Sequence, residues 1–266
     1  MKTCDKLATT TVTPARLRVF QPSQRPIMLA AQGEWVETPW GQCRVHGRLG
    51  QRHADLYEGA RWCAEESRRR EDGGISLLVD PAKLRRALGD GAEYSHQRLW
   101  VLLREIMSAV VEIKTRDIKA VGHLIDEAVE STKNSRPDPL TGQMRPLWVI
   151  RLGSVAAALD RQDLPLSYDP RPLVRLQFGI SQAVARHCLT HRQEPHGGWM
   201  LDRLIEVVAG PQSEQGMCNA RHRLRKDAAG MLTLGLLIQG ERVRRISQRP
   251  GAFHSGPVTF HSGPVL

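Results

Sequence analysis

The chain is 266 residues long and carries 38 Lys and Arg against 28 Asp and Glu, a formal net charge of +10. Hydrophobic residues make up 41% of it and charged residues 25%, which is ordinary for a soluble protein with a buried core. This composition excludes a collagen-like chain, a bundle of membrane-spanning helices and a fully disordered tail. The surplus positive charge favours an anionic partner, with nucleic acid ahead of a membrane surface or a role in solubility alone.

The cysteines and the N-terminal residues indicate a reducing compartment. No apolar stretch typical of a signal peptide precedes Pro14, and the chain has no run of about 18 apolar residues. The sequence therefore predicts a cytoplasmic protein with no membrane association and no cofactor. The five cysteines are scattered, odd in number and without a C-x-x-C pair, which argues against a disulfide framework or a zinc knuckle: Cys4, Cys43, Cys63, Cys188 and Cys218.

The first half of the chain predicts an arm followed by a small domain. Residues 1–33 are rich in Thr, Pro and Gln, show no sustained periodicity and are expected to form a flexible basic arm. Asp80-Pro81 marks a helix start, because Asp caps a helix and Pro suits its first position. The first domain is expected over 34–132, with two short strands within 35–45, a helix over 54–67, a strand over 75–79, helices over 81–88 and 95–111, and a strand-like or mixed segment over 118–129.

A polar, Pro-bearing stretch divides the chain. Residues 133–146 are predicted to be a linker, and residues 147–246 a second domain. Residues 247–266 hold two copies of a heptapeptide with His-Ser-Gly-Pro, too few repeats to stack, so we expect a disordered tail. The second domain is expected to contain a strand over 147–152, short helical pieces over 154–160 and 170–178, helices over 181–191, 199–209 and 217–234, and a hairpin over 236–246.

The order helix, turn, helix, longer helix and hairpin occurs twice along the chain. That order is typical of a winged helix, a helix-turn-helix unit followed by a β-hairpin. The expected fold is therefore α+β, mainly α, with two tandem winged-helix domains between flexible N- and C-terminal tails.

Positive charge is concentrated near the end of the second domain. Residues 215–250 hold eight basic side chains against two acidic ones, a surplus of six. With Leu224, Ala228 and Met231 facing the core, the helix over 217–234 would present a cationic face to the major groove of DNA. A solvated basic face without a ligand is the alternative interpretation. The predicted DNA-binding side chains of this main reader are Asn219, Arg221, His222, Arg223, Arg225, Lys226, Arg242, Arg244 and Arg245.

The first domain carries a lighter set of polar and basic side chains at the corresponding positions. Two interpretations of this set stay open: a weaker contact with DNA, or a protein–protein surface. The candidates are Ser95, His96, Gln97, Arg98, Arg104, Lys114 and Arg116.

Signatures of enzymes are scarce in the sequence. It has no phosphate-binding P-loop and no H-E-x-x-H motif. His187 and His191 have the spacing of a zinc-binding pair, but no third ligand joins them locally, so we expect packed or surface histidines and no metal site. A nicking enzyme would need a His-x-His-like metal pair beside a nucleophilic Tyr, and no such pair is present. The six tryptophans lie mostly in apolar segments and are predicted to be core side chains.

Two groups of residue runs carry a resemblance to a known family. The first is Gly74-Ile75-Ser76-Leu77-Leu78-Val79-Asp80 through Leu88-Gly89, then Tyr94-Ser95 and Val121-Gly122-His123-Leu124. The second is Ala185-Arg186-His187 through Glu194-Pro195, followed by the helix that ends at Gly210. In these runs, and in their order over about residues 34–246, the chain resembles the plasmid replication initiators built from two winged-helix domains, among them the TrfA-like group.

The resemblance implies a role at a plasmid origin. Such initiators bind repeated short DNA sites, help open the adjacent A·T-rich duplex and help bring in the host initiator and the replicative helicase. Many also repress their own gene, which links them to plasmid copy control. Their second winged helix usually makes the stronger base contacts, and the first contacts the other half of the site or mediates homodimerisation. They need no nucleotide and catalyse no bond change.

The sequence thus predicts a sequence-specific, double-stranded DNA-binding plasmid replication initiator that is not an enzyme. Its expected targets are direct repeats about 15–25 bp long, the span of two modules in successive major grooves. A winged-helix transcriptional repressor is the first alternative, because both functions need only specific DNA binding. A nicking relaxase or rolling-circle enzyme is the second alternative.

Overall fold

A computed structural model describes residues 8–30, 33–71, 73–89, 91–138 and 141–246, so the tail expected over 247–266 lies outside the described part of the chain. The described residues adopt an α+β fold around two hydrophobic cores. The first core gathers side chains between Leu17 and Leu159, and the second gathers side chains between Leu173 and Val243. We call the parts of the chain around these cores the first lobe and the second lobe.

The N-terminal segment packs along both lobes, so the flexible arm expected over 1–33 is wrong for residues 8–30. Hydrogen bonds to distant parts of the backbone hold this segment in place, such as the one that Val12 N donates to Leu164 O at 3.1 Å. The sequence does not reveal such bonds, because they leave no helical or strand periodicity. The segment contains β1 (Thr10–Thr11) and α1 (Thr13–Arg16), and its buried apolar side chains are Val12, Leu17, Val19 and Phe20.

The first lobe combines helices with two antiparallel sheets. Its elements in chain order are β2 (Val36–Thr38), β3 (Gly41–His46), α2 (Gln51–Cys63), β4 (Glu66–Arg69), β5 (Ile75–Val79), α3 (Pro81–Ala87), α4 (His96–Ser108), β6 (Val110–Lys114), β7 (Lys119–Gly122), β8 (Ile125–Pro137), β9 (Met144–Leu152) and α5 (Ser154–Gln162). The two four-stranded sheets have the orders β2-β3-β6-β7 and β4-β5-β9-β8.

Local sequence signals explain several of these elements. Asp80 caps α3, because its Oδ1 accepts a hydrogen bond from Ala82 N at 2.9 Å, and Pro81 occupies the first helical position. The apolar stripe predicted on α4 is buried in the first core at Leu99 and Ile106, among others. The helix expected over 54–67 begins earlier, at Gln51, and ends earlier, at Cys63, because the residues from Glu66 onward form β4 against β5.

The expected linker is part of the first lobe. Within residues 133–146, the described residues belong mainly to β8 and β9, which form a long antiparallel hairpin. Strand β9 also pairs with β5, with Leu77 opposite Ile150, so the second lobe does not begin at residue 147 as expected. The polar and Pro residues that predicted a linker belong to the exposed end of this hairpin. The boundary between the two cores lies after α5.

The second lobe follows a short strand that pairs with the N-terminal segment. That strand is β10 (Pro165–Leu166), antiparallel to β1. The elements after it are α6 (Arg171–Val174), α7 (Gly179–Leu189), β11 (Trp199–Met200), α8 (Leu201–Ala209), α9 (Glu214–Lys226), α10 (Ala228–Thr233), β12 (Leu236–Gln239) and β13 (Arg242–Arg245). The three strands β11, β13 and β12 form one antiparallel sheet with β13 in the centre. No helix in the described ranges is both long enough and apolar enough to cross a membrane.

The single long helix expected over 217–234 is divided into α9 and α10. Asp227 lies at the break, where its two carboxylate oxygens accept hydrogen bonds from the backbone N of Gln177 at 3.0 Å and of Phe178 at 2.9 Å. This carboxylate therefore ties the end of α9 to the loop before α7. Leu224 and Met231 are buried as expected, whereas Ala228 is half-buried.

A buried ionic network joins the two lobes where α2 meets α7. Arg186 of α7 donates to Asp55 Oδ1 at 2.6 Å, to Gln51 Oε1 at 2.6 Å and to both carboxylate oxygens of Glu58. All four side chains are buried, and the neighbouring carboxylates raise the pKa of Arg186 against the effect of its burial. The polar side of α2 is thus covered by the second lobe instead of water.

Candidate nucleic-acid interface

Helix α9 positions the largest group of predicted DNA-binding side chains. Ser213 caps its N-terminus by accepting a hydrogen bond from Gly216 N at 3.1 Å. Ala220 and Leu224 are buried in the second core, so the opposite face of the helix is turned to solvent. The exposed side chains of α9 with donor groups for a nucleic acid are Gln215, Asn219, His222, Arg223, Arg225 and Lys226.

Arg221 and Arg225 lie on the side of α9 that faces α8 and the hairpin turn. Arg221 Nε is 2.6 Å from Asp202 Oδ1, and Arg225 Nη2 is 2.5 Å from Glu241 Oε1. The hydrogen bond from Arg221 lowers the pKa of Asp202, and the same contact raises the pKa of Arg221. Two of the predicted DNA-binding cations are therefore paired with carboxylates of their own lobe.

The hairpin β12–β13 divides its three arginines into two groups. Arg242 and Arg244 are exposed, and the Arg242 guanidinium donates a hydrogen bond to Gly197 O at 3.0 Å. Arg245 instead points towards the C-terminal end of α7, where its Nη2 donates to Cys188 O at 2.8 Å. The structure thus places Arg245 as a brace between hairpin and helix, and leaves Arg242 and Arg244 facing solvent.

The start of α4 holds most of the candidates from the first lobe. Ser95 caps α4 by accepting a hydrogen bond from Arg98 N at 3.3 Å, which gives its hydroxyl a structural role. The His96 ring packs against Trp148 with 5.2 Å between centroids, and its Nε2 is 3.2 Å from Glu130 Oε2. The remaining members are exposed or half-buried: Gln97, Arg98 and Arg104.

The turn between β6 and β7 forms a small cationic surface on the first lobe. Lys114 lies opposite Lys119 in the strand pair, and both side chains are exposed. Like charges at opposite positions of a sheet destabilise it, so an anion bound between them would be favourable. Arg116 Nε is 3.1 Å from Asp117 Oδ1 in an exposed ion pair, which contributes little to folding stability.

Trp35 is a surface side chain, in contrast to the core position predicted for the tryptophans. It is 38% exposed, and the guanidinium carbon of Arg44 lies 4.9 Å from its ring centroid. Trp148 and Trp199, in contrast, are buried as expected. The signal that separates them is local, because Trp35 is preceded by Glu34 and lies outside any apolar run.

His187 and His191 lie at the contact between the lobes. Trp40, in the turn between β2 and β3, packs edge-on against both rings, with centroid distances of 5.2 and 6.1 Å. Burial and, to a lesser extent, nearby positive charges lower the pKa of His187 to about 3. In the part of the chain that the structure describes, no three His, Cys, Asp or Glu side chains group into a metal site.

Similarity to known proteins is limited to the fold. No protein-family model matches the chain, and no curated protein sequence matches it. Among solved structures, it is similar to domains 2 and 3 of RctB, with a TM-score of 0.53 and 8% sequence identity over 83% of this chain and 86% of that chain. At 8% sequence identity this similarity shows a shared fold only, and the matched part of RctB consists of two domains.

Proposed function

We propose that this chain binds double-stranded DNA sequence-specifically and acts in the initiation of DNA replication. An α-helix fits the major groove, where Asn and Arg can pair with adenine and guanine edges, while neighbouring cations contact phosphates and fix the register. The observation that carries the proposal is the solvent-facing side of α9 beside the hairpin, which together expose Asn219, His222, Arg223, Lys226, Arg242 and Arg244.

The element order of the second lobe supports a winged-helix domain. Helix α7, strand β11, helices α8 and α9 and the hairpin β12–β13 follow one another, and four residues, 210–213, join α8 to α9. A short turn between two such helices is typical of a helix-turn-helix. The first lobe repeats a related order with α2, α3, α4 and the hairpin β6–β7. We therefore extend the proposal to two tandem winged-helix domains.

The step from DNA binding to replication rests on the resemblance to plasmid replication initiators. By that resemblance, the targets are direct repeats at a plasmid origin, and the partners are the host initiator and the replicative helicase. A homodimer would form through the first lobe. The similarity to a two-domain segment of RctB supports the tandem arrangement on which this proposal depends.

A binding assay tests the first step of the proposal. Fluorescence anisotropy at about 0.15 M salt would compare a duplex carrying the direct repeats of a candidate origin with a scrambled duplex, and we expect at least about a thousandfold preference. With about six phosphate contacts, the slope of log affinity against log salt should be about −5. Equal affinity for the two duplexes would contradict sequence-specific binding.

A replication assay tests the second step. A minimal plasmid that carries only the origin and the gene for this chain should replicate, and loss of the repeats should abolish replication. Specific binding without replication would instead identify a repressor. Metal-dependent nicking of supercoiled DNA with a covalent tyrosyl adduct would identify a nicking enzyme, which we do not expect.

A further inference from the structure

We infer that Glu241 competes with DNA for Arg225, and so limits how strongly the second lobe binds any duplex; this rests on the proposed DNA-binding function. Glu241 lies in the turn of the hairpin β12–β13, and its Oε1 accepts a hydrogen bond from Arg225 Nη2 at 2.5 Å. Its other oxygen, Oε2, is 4.0 Å from Arg221 Nε. One carboxylate therefore faces two cations of the helix that is expected to enter the groove.

Backbone contacts hold Glu241 in place beside α9. The carbonyl oxygen of Glu241 accepts a hydrogen bond from Leu201 N at 2.9 Å, which ties the turn to the start of α8. Gly240 has a φ of 58°, a left-handed conformation that favours glycine and makes the turn tight. Glu241 is also the only acidic residue within 236–246, a hairpin with three arginines. Its charge therefore opposes the rest of the surface to which it belongs.

The two ion pairs of α9 differ in how easily DNA can replace them. Arg221 donates to both carboxylate oxygens of Asp202, at 2.6 and 2.5 Å, which braces α9 against α8. Arg225 and Glu241 share one hydrogen bond, and their side chains are 49% and 56% exposed. An exposed pair of this kind adds little to folding stability. A DNA phosphate can therefore take the place of the Glu241 carboxylate at Arg225, at the cost of this ion pair.

A double-mutant cycle on DNA affinity tests the inference. The probe is a labelled, mixed-sequence duplex of about 30 bp, titrated over a range of salt concentrations. The four proteins are the wild type, Glu241→Gln, Arg225→Gln and the double variant, with thermal unfolding to show that each is folded. We expect Glu241→Gln to bind about two- to fivefold more tightly than the wild type, and this gain to disappear when Arg225 is Gln.

Glu206→Gln is the matched control, because Glu206 is a partly exposed carboxylate of α8 that pairs with Arg203 at 3.0 Å. It removes the same charge from the same lobe and should leave the affinity nearly unchanged. Three results would overturn the inference but not the proposed function. They are an equal gain from both Gln variants, a gain that persists without Arg225, and no gain from Glu241→Gln. A wild-type chain that binds no duplex would overturn the proposed function as well.

Discussion

At the scale of single residues, the arginines of α9 and of the hairpin β12–β13 differ in what their guanidinium groups contact. Arg221 faces a carboxylate and Arg245 faces carbonyl oxygens, so their N–H groups are already engaged. Arg223 instead lies over the ring of Phe178, with 6.0 Å between its guanidinium carbon and the ring centroid, and remains exposed. A guanidinium held against a ring face keeps its donors for another ligand. Arg223 is therefore the arginine of α9 best placed to contact a base.

We predict that Arg223→Ala relaxes discrimination at one base pair of the target by about 1–3 kcal/mol, because a bidentate contact to guanine is lost. Competition binding against duplexes with every single-base change would measure this. Arg203→Ala is the control, since Arg203 is exposed on α8 and already paired with Glu206. Unchanged discrimination in Arg223→Ala would show that α9 is not the recognition helix.

At the scale of elements, the carboxylate of Asp80 has two structural roles at the start of helix α3. Asp80 accepts hydrogen bonds from the first backbone N–H groups of α3, and it also forms an ion pair with Arg145 of β9. Its side chain is buried, so both interactions are shielded from water. The same residue therefore fixes the start of the helix and the position of the helix on the sheet.

We predict that Asp80→Ala lowers the free energy of unfolding by about 2–3 kcal/mol, because it removes the cap and leaves Arg145 without one of its carboxylates. Asp80→Asn keeps the cap and should lower it by about 1 kcal/mol less, since Asn caps a helix as well as Asp. Urea unfolding monitored by circular dichroism would compare them. Equal losses in the two variants would mean that the cap contributes nothing.

Signals of this local kind account for what the sequence could predict. Asp80-Pro81 placed the start of α3 correctly, and the spacing of apolar residues gave the buried side of α9 at Leu224. The pairing of β5 with β9 joins residues about seventy positions apart, and nothing in either strand specifies it, so a hairpin within the first lobe was interpreted as a linker. The contact of Arg225 with Glu241 likewise depends on where the hairpin turn lies in space.

At the scale of the whole molecule, a buried network of charged side chains joins the two lobes. Arg186 lies between Asp55 and Glu58, and all three are almost completely excluded from solvent. Removing one partner of a buried ion network costs far more than the intact network contributes, because a charge is left uncompensated. The junction of α2 with α7 is therefore sensitive to the loss of a single side chain.

We predict that Arg186→Met lowers the free energy of unfolding by about 3–5 kcal/mol, because Asp55 and Glu58 are left buried and unpaired. Chemical denaturation would measure the loss. The triple change Arg186→Met, Asp55→Asn and Glu58→Gln removes every charge of the network and should recover part of the stability. A triple variant that is less stable than Arg186→Met would contradict this account.

The same junction should weaken in mild acid through His187. The ring is buried among Trp40, His191, Arg16 and Arg18, and burial lowers its pKa from 6.5 to about 3, while the unfolded chain keeps the ordinary pKa. Between these values the unfolded state binds more protons, so stability is retained above pH 6.5 and falls as the pH falls towards 3. For His187 the loss from pH 6.5 to 5 should be about 1.6 kcal/mol. Urea unfolding at the two pH values should show this loss in the wild type and in His222→Gln, whose ring is exposed, and a clearly smaller loss in His187→Gln. An equal loss in the wild type and in His187→Gln would place the acid sensitivity elsewhere, with His191 and His53, whose pKa values burial also lowers, as the next candidates.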